Sequence, residues 1–206
     1  MATPPTGTVT FVFTDVEKST RLLAELGTDE YAQTLEEHRR RLRDAFRAGY
    51  EVDTQGDSFF YAFESADDAV AAAGAGQRAL EGLPLRVRMG IHTGQPLLVG
   101  DDYFGMDVHR AARISAAAYG GQVVLSQVTR DLVAVDTRDL GDHRLKDLTG
   151  PQRLHQLVAP GLEIQFPPLR TLENRPTNLP SQATPLVGRS SEIEALHALL
   201  EKALKG

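Results

Sequence analysis

Short β-branched runs and segments of helical spacing take turns along residues 8–158. Thr8 to Phe13 (TVTFVF) is compact, apolar and β-branched, which predicts a strand that stops at Thr14-Asp15. A helix is expected to begin near Glu17 to Thr20. A longer one over Asp29 to Ala48 carries Tyr31, Leu35, His38, Leu42 and Phe46 at helical spacing. Val52 to Phe63 (VDTQGDSFFYAF) then reads as strand, Gly56-Asp57 turn and strand. Ser65 is placed to cap the next helix, with Asp67 and Asp68 in the first turn, where the helix dipole favours anions. Leu85 to Ile91 (LRVRMGI) alternates as a strand, and residues 95–105 form a loop or short extension. Asp107 to Ala118 reads as a helix closed by Gly120-Gly121. Val123 to Ser126 is another strand, Thr129 to Val135 a short helix, and residues 138–158 a final hairpin.

This order lacks strict βαβ spacing. It predicts an α+β fold, with helices packed on a mixed or mostly antiparallel sheet. From about Pro160 the composition shifts, since six of the eleven prolines lie between Pro160 and Pro185. Residues 159–186 therefore read as an extended linker. Ser190 to Lys205 (SSEIEALHALLEKALK) reads as an amphipathic helix with a capping-box start.

Composition removes several function classes. The net charge of -6 leaves no basic surface for nucleic acid. With no cysteine there are no disulfides, thiolate zinc sites or cysteine nucleophiles, and a cytoplasmic setting fits. The start MATPPTGTV has neither a basic n-region nor an apolar h-region, and no apolar run approaches the length of a membrane span. His38, His143, His155 and His197 share no ligand spacing, so no zinc site is expected.

The chemistry-bearing pattern is a pair of carboxylates. Asp15 ends the first strand and Asp57 sits at the hairpin tip. If the hairpin pairs beside the first strand, the two converge on what a two-cation phosphate site needs: hard oxygen ligands on rigid supports. The loop Val16-Glu17-Lys18-Ser19-Thr20 opens a helix, and its N–H groups are placed to cradle a polyphosphate. The plainer reading makes Asp15 a helix cap and Asp57 an ordinary turn residue.

Four segments in order, FVFTDVEKST, TQGDSFFYAF, VRMGIHTG and YFGMDVHRAARI, resemble the successive motifs of class III adenylate and guanylate cyclase catalytic domains. The resemblance covers residues 7–158. Within the family the chain looks like the actinobacterial multidomain type. There, a segment like NLPSQATPLVGRSSEIEALHALL (Asn178 to Leu200) opens a following STAND-type ATPase domain, so residues 187–206 are expected to be its opening fragment. The resemblance implies a homodimer with active sites shared across the interface and a nucleoside triphosphate as substrate. It implies two Mg²⁺ or Mn²⁺ ions per site, held by Asp15, Asp57 and the Val16 carbonyl. Arg113 matches the arginine that stabilises charge on the α-phosphate. Lys146 aligns with a lysine that reaches the terminal phosphates.

Two positions depart from the family's adenylate cyclases. Their base-reading lysine, three residues before the turn glycine, is replaced by Asp53, while its partner aspartate is present as Asp102. Their ribose-orienting asparagine is replaced by His109. An ionised Asp53 repels adenine N1, an acceptor, and suits the N1–H and N2–H₂ donors of guanine. Guanylate cyclases of the family carry a glutamate there, but no acid at the second position. His109 is placed to donate to a ribose oxygen or phosphate, or to bond its own backbone. His92, in MGIHTG, sits on a core strand and reads as structural. The leading expectation is a signalling cyclase that converts ATP, or else GTP, to the 3′,5′-cyclic nucleotide and pyrophosphate, weakened by the two replacements. The alternative is a degenerate domain that dimerises and binds nucleotide as a regulatory module.

Overall fold

A computed structural model of the chain describes residues 3–172. The linker reading beyond residue 172 and the ATPase-like fragment at 187–206 lie outside the described residues. The first half runs β1 (Val9–Val16), α1 (Ser19–Leu26), α2 (Thr28–Ala45), β2 (Tyr50–Gln55), β3 (Ser58–Phe63) and α3 (Ala66–Ala79). The second runs β4 (Val87–Gly94), β5 (Leu97–Val99), β6 (Asp102–Phe104), α4 (Met106–Ala117), β7 (Val123–Ser126), α5 (Gln127–Leu132), β8 (Thr137–His143) and β9 (Gln152–Leu157). Among the described residues, seven strands form one sheet in the order β2-β3-β1-β4-β7-β9-β8, with β5 and β6 paired separately. The β4–β7 pair of the large sheet is parallel and its other pairs are antiparallel. The expected α+β, mostly antiparallel architecture is what the chain adopts.

Period-two alternation sorts the central strands onto two faces. Val12 and Val16 of β1, Phe59, Tyr61 and Phe63 of β3, and Val87, Met89 and Ile91 of β4 pack with Leu42, Phe46, Ala69 and Val70 from the α2 and α3 side. The opposite positions Phe11, Phe13, Phe60 and Ala62 pack with Tyr103 and Ala111 beneath α4. Asp15 falls on this second face, as does Arg88, which alternates with Val87 and Met89 and pairs with Asp15 in the β1–β4 register. Gly90 lets α4 lie directly on the sheet: a Cβ there would come 2.2 Å from the Ser115 backbone nitrogen. The MGIHTG motif thus sets how closely the helix carrying His109 and Arg113 approaches β4.

Two regions differ from the expectation. Residues 95–105 form the β5–β6 hairpin, where Leu98 and Tyr103 turn inward and Leu97, Val99 and Phe104 stand exposed. Composition predicts an extended linker from about residue 159, yet residues 159–172 lie against the domain. Leu169 and Thr171 are each only 2% exposed, because their neighbours supply an apolar seat that proline counting does not reveal.

Candidate active site

The site is built at one end of β1. The two-residue turn Gly56-Asp57 joins β2 to β3, with the glycine at φ 61°. β3 pairs antiparallel with β1, from Thr10↔Phe63 to Thr14↔Phe59, so the turn lands beside Asp15. Ser58 Oγ donates to Asp15 Oδ1 at 2.7 Å. Arg88 Nε donates to Asp15 Oδ2 at 2.8 Å. Asp57, next to Ser58, keeps its Oδ2 buried and without a hydrogen-bond partner. Buried carboxylate oxygens seldom stay unpaired, since desolvation alone costs kilocalories.

Helix α2 braces this hairpin. Arg39 donates to the Gly56 carbonyl, and Arg43 makes a fork to Glu51 at 2.9 and 2.7 Å. The Arg43 guanidinium, opposed by partial burial, holds the Glu51 carboxyl at about 2. Tyr31, also on α2, has its phenol pushed up, first by burial and then by the Asp57 charge, with a smaller push from Asp15. The carboxylate at the hairpin tip is therefore held by two strands and a helix. Helical spacing alone puts Tyr31 on an apolar face and does not assign it to the site.

Val16 buries its side chain in the core at 3% exposure, so what it offers the site is its backbone. A depression of about 200 Å³ beside Asp15 is lined by Phe13, Ser58, Arg88 and, from α4, Ala112, Ser115 and Ala116. A second one of about 200 Å³ shares Phe13 and Ser58 and adds Asp53, Gln55 and Phe60. The Phe13 and Phe60 rings stack between strands with centroids 4.2 Å apart. Asp53 is thus one depression away from the paired carboxylates. Its own oxygens accept from Thr54 N and Gln55 Nε2, both at 2.8 Å. Asp102 stands exposed on β6, in the other sheet.

The remaining candidates gather elsewhere. Arg113 Nη2 donates to Asp147 Oδ2 at 2.6 Å, which ties α4 to the β8–β9 connection beside the exposed Lys146. Arg113 Nε is buried without a partner. His109, one turn earlier on α4, is exposed. Within one chain, then, Asp57 is joined to Asp15 through its neighbour Ser58, Arg113 and the Lys146 loop form a second group, and neither Arg113 nor Lys146 lines the depressions at Asp15. Ser58 and Arg88 are site residues that the sequence motifs do not single out. The alternation of LRVRM carries a usable signal for Arg88, since it turns that residue to the same face as Asp15.

The residues fit divalent cations in one respect that the structure itself displays: Asp57 Oδ2 is a buried acceptor lacking a donor, next to a second strand-end carboxylate. Among the described residues no cluster of three or more His, Asp or Glu side chains would hold an ion. Any such site rests on two carboxylates and backbone oxygen. No helix among the described residues is long and apolar enough to cross a membrane.

Comparison with known proteins bears out this architecture. The family model described as the adenylate and guanylate cyclase catalytic domain matches residues 1–158, and the chain belongs to that family. An uncharacterized protein of Mycobacterium tuberculosis is 40% identical over 201 residues, covering 92% of this chain and 70% of that protein. The adenylate cyclase of Mycosarcoma maydis is 38% identical over 157 residues, covering 60% of this chain but 6% of that enzyme. Among solved structures, adenylate cyclases of Trypanosoma brucei in their monomeric state superpose with a TM-score of 0.73 at 30% identity, over 82% of this chain and 97% of theirs. An adenylyl cyclase of P. aeruginosa gives 0.63 at 25% identity, over 74% and 94%.

Proposed function

We propose that the chain is a nucleotide cyclase catalytic domain that turns a nucleoside triphosphate into its 3′,5′-cyclic nucleotide and pyrophosphate in cytoplasmic signalling. ATP is the leading substrate and GTP the second. The observation that carries this is the unpartnered, buried Asp57 Oδ2 beside Asp15, on two hydrogen-bonded strand ends. Asp15, Asp57 and the Val16 carbonyl would hold Mg²⁺ or Mn²⁺, two per site. Such ions make the ribose 3′-hydroxyl a nucleophile and neutralise charge on the phosphates.

The protein's own part is binding, orientation and charge. Ser58 and Arg88 fix the Asp15 carboxylate, so that it does not reorganise when substrate enters. The Phe13–Phe60 stack offers an apolar wall on which a base can lie, with Asp53 at its edge. Arg113 stabilises charge on the α-phosphate and Lys146 reaches the terminal phosphates. Because Arg113 faces Asp147 and not the Asp15 depression, its guanidinium serves the site of a second copy. The exposed apolar hairpin face of Leu97, Val99 and Phe104 supports a homodimer of this kind.

A second reading has its own support: Asp15 already carries an arginine partner and Asp53 is engaged with its neighbours. A degenerate domain acting as a nucleotide-binding regulatory module has those features. Purified protein given Mn²⁺ with ATP or GTP, with cyclic product measured by mass spectrometry, separates the two. Cyclic AMP above cyclic GTP is expected. Nucleotide binding with neither product would replace the enzyme by the module.

A further inference from the structure

The chain beyond β9 returns to the site. Residues 159–172 cross the domain without regular secondary structure. Gln156 Nε2 donates to the Ile164 carbonyl at 3.1 Å, and the Tyr119 hydroxyl donates to the Pro168 carbonyl at 3.1 Å. Leu169 enters the cluster of Ile114, Ala117, Leu145 and Leu154. The backbone then docks twice. Arg170 N donates to Ala117 O at 3.0 Å, at the end of α4, and Leu172 N donates to Arg144 O at 3.1 Å, two residues before Lys146. Between these two bonds the Arg170 guanidinium lies over the Tyr119 ring, 4.2 Å from its centroid, and pairs with Glu17.

Glu17 is the residue after Val16 and two after Asp15. Its N–H donates to Arg86 O at 2.8 Å, and its Oε2 accepts from Gly120 N at 3.2 Å. The Glu17 side chain is 13% exposed. A carboxylate fixed at this depth by a backbone N–H and a guanidinium holds its own backbone in place, and that backbone continues directly into the metal-bearing end of β1. Neither Arg170 nor its Tyr119 platform belongs to the four motif segments.

We propose that Arg170 is a positioning residue for the metal-bearing end of β1, acting through Glu17. The proposal rests on the reading of Asp15 and Asp57 as cation ligands. Outer groups that orient ligands typically change metal affinity about 10- to 100-fold. Arg170 acts through one further residue, so about tenfold is expected.

The test uses the full chain with Arg170→Ala, Arg170→Lys, Glu17→Ala and, as a control on the same segment, Glu163→Gln, whose partner is Arg86. Mn²⁺ binding is read by electron paramagnetic resonance, and backbone order at residues 15–18 by amide hydrogen exchange. Arg170→Ala should weaken Mn²⁺ about tenfold and speed exchange at 15–18. Glu17→Ala should do the same, and combining the two should add little. Arg170→Lys should recover part of both, since an ammonium replaces charge but not the planar stack on Tyr119. Glu163→Gln should change neither. Equal losses in Glu163→Gln and Arg170→Ala, or Mn²⁺ affinity and exchange both unmoved in Arg170→Ala, overturn the positioning role. Wild-type protein that binds no Mn²⁺ overturns the functional reading instead, and the exchange measurement then decides the positioning claim by itself.

Discussion

Two polar clusters lie at opposite ends of the β1–β4 pair. At one end His92 Nδ1 meets Ser126 Oγ at 2.8 Å, and His92 Nε2 meets Asp107 Oδ1 at 3.1 Å. Arg110 donates to the same carboxylate at 2.6 Å. Thr93 Oγ1 joins Thr10 at 2.9 Å and Thr129 at 3.1 Å. Apart from Arg110 Nε, the buried polar atoms of this cluster have partners. At the other end Asp15 is tied by Ser58 and Arg88, but Ser115 Oγ, on the same depression, and Asp57 Oδ2, in the neighbouring turn, are buried with none. A Ser-His-Asp arrangement invites a catalytic label, yet Ser126 caps α5 and is 5% exposed. Satisfied polar groups build architecture. A buried carboxylate oxygen kept without a donor, as at Asp57, is where a bound cation would supply the missing interaction under the proposed function.

The sharpest way to break this contrast is Asp57→Asn. It keeps the size of the side chain and removes the charge from a buried carboxylate oxygen that has no donor. Cyclic product formation should fall at least about a thousandfold, since charge stabilisation by bound cations is most of what such a reaction needs. The melting temperature should stay within a few degrees of wild type, because Oδ2 has no hydrogen bond to lose. A large drop in melting temperature would make Asp57 a structural residue and dissolve the distinction between the two ends.

The complementary experiment is on His92. His92→Ala should cost about 2–4 kcal/mol in denaturant unfolding, because it removes two hydrogen bonds of a buried ring and opens a cavity. Burial pushes the His92 imidazole down, against the opposing pull of Asp107 and alongside the Arg110 charge. His38, buried on α2 and pushed down to about 4, acts in the same sense. An unfolded histidine takes a proton near 6.5 that the folded one resists. Both therefore contribute stability above about pH 6.5 that is lost on acidification. His92→Gln should flatten, not abolish, the fall in stability on acidification below about pH 6.5. An unchanged slope would mean that the satisfied cluster carries none of it.

What the sequence reveals follows the same division. The strand-end Asp15 and the turn Asp57 are readable because β-branched runs and a Gly-Asp turn have local causes. The placing of the Asp57 turn beside the end of β1 requires β3 next to β1, a non-local pairing that the hairpin makes natural but that spacing alone leaves open. Arg88 is written in the alternation of LRVRM, yet arginines on a strand read as solvated. Tyr31 and the Glu17–Arg170 bridge are not legible. The first depends on where α2 crosses the hairpin, the second on a contact spanning 153 residues, and neither has a sequence period. The prolines of the 159–172 segment read as linker, whereas its hydrophobic residues Leu162 and Leu169 are the informative ones.

The smallest effect tests the base end. Asp53 is exposed, and its two oxygens accept from Thr54 N and Gln55 Nε2, so it faces its own strand more than an open pocket. It still edges the depression walled by Phe13 and Phe60. An ionised carboxylate there accepts from guanine N1–H and N2–H₂, whereas a lysine donates to adenine N1. Asp53→Lys should thus raise the ratio of ATP to GTP cyclisation. A hydrogen bond to a charged group contributes about 1.5–3 kcal/mol when buried, and this one is solvated, so about tenfold is the expected ceiling. The change should appear in the ratio of kcat/KM values for the two substrates and leave Mn²⁺ affinity alone, since Asp53 is separated from Asp15 by Ser58 and Phe13. A ratio that does not move would show Asp53 to be a strand-edge carboxylate occupied with Gln55, and would place base selection on other residues of that depression.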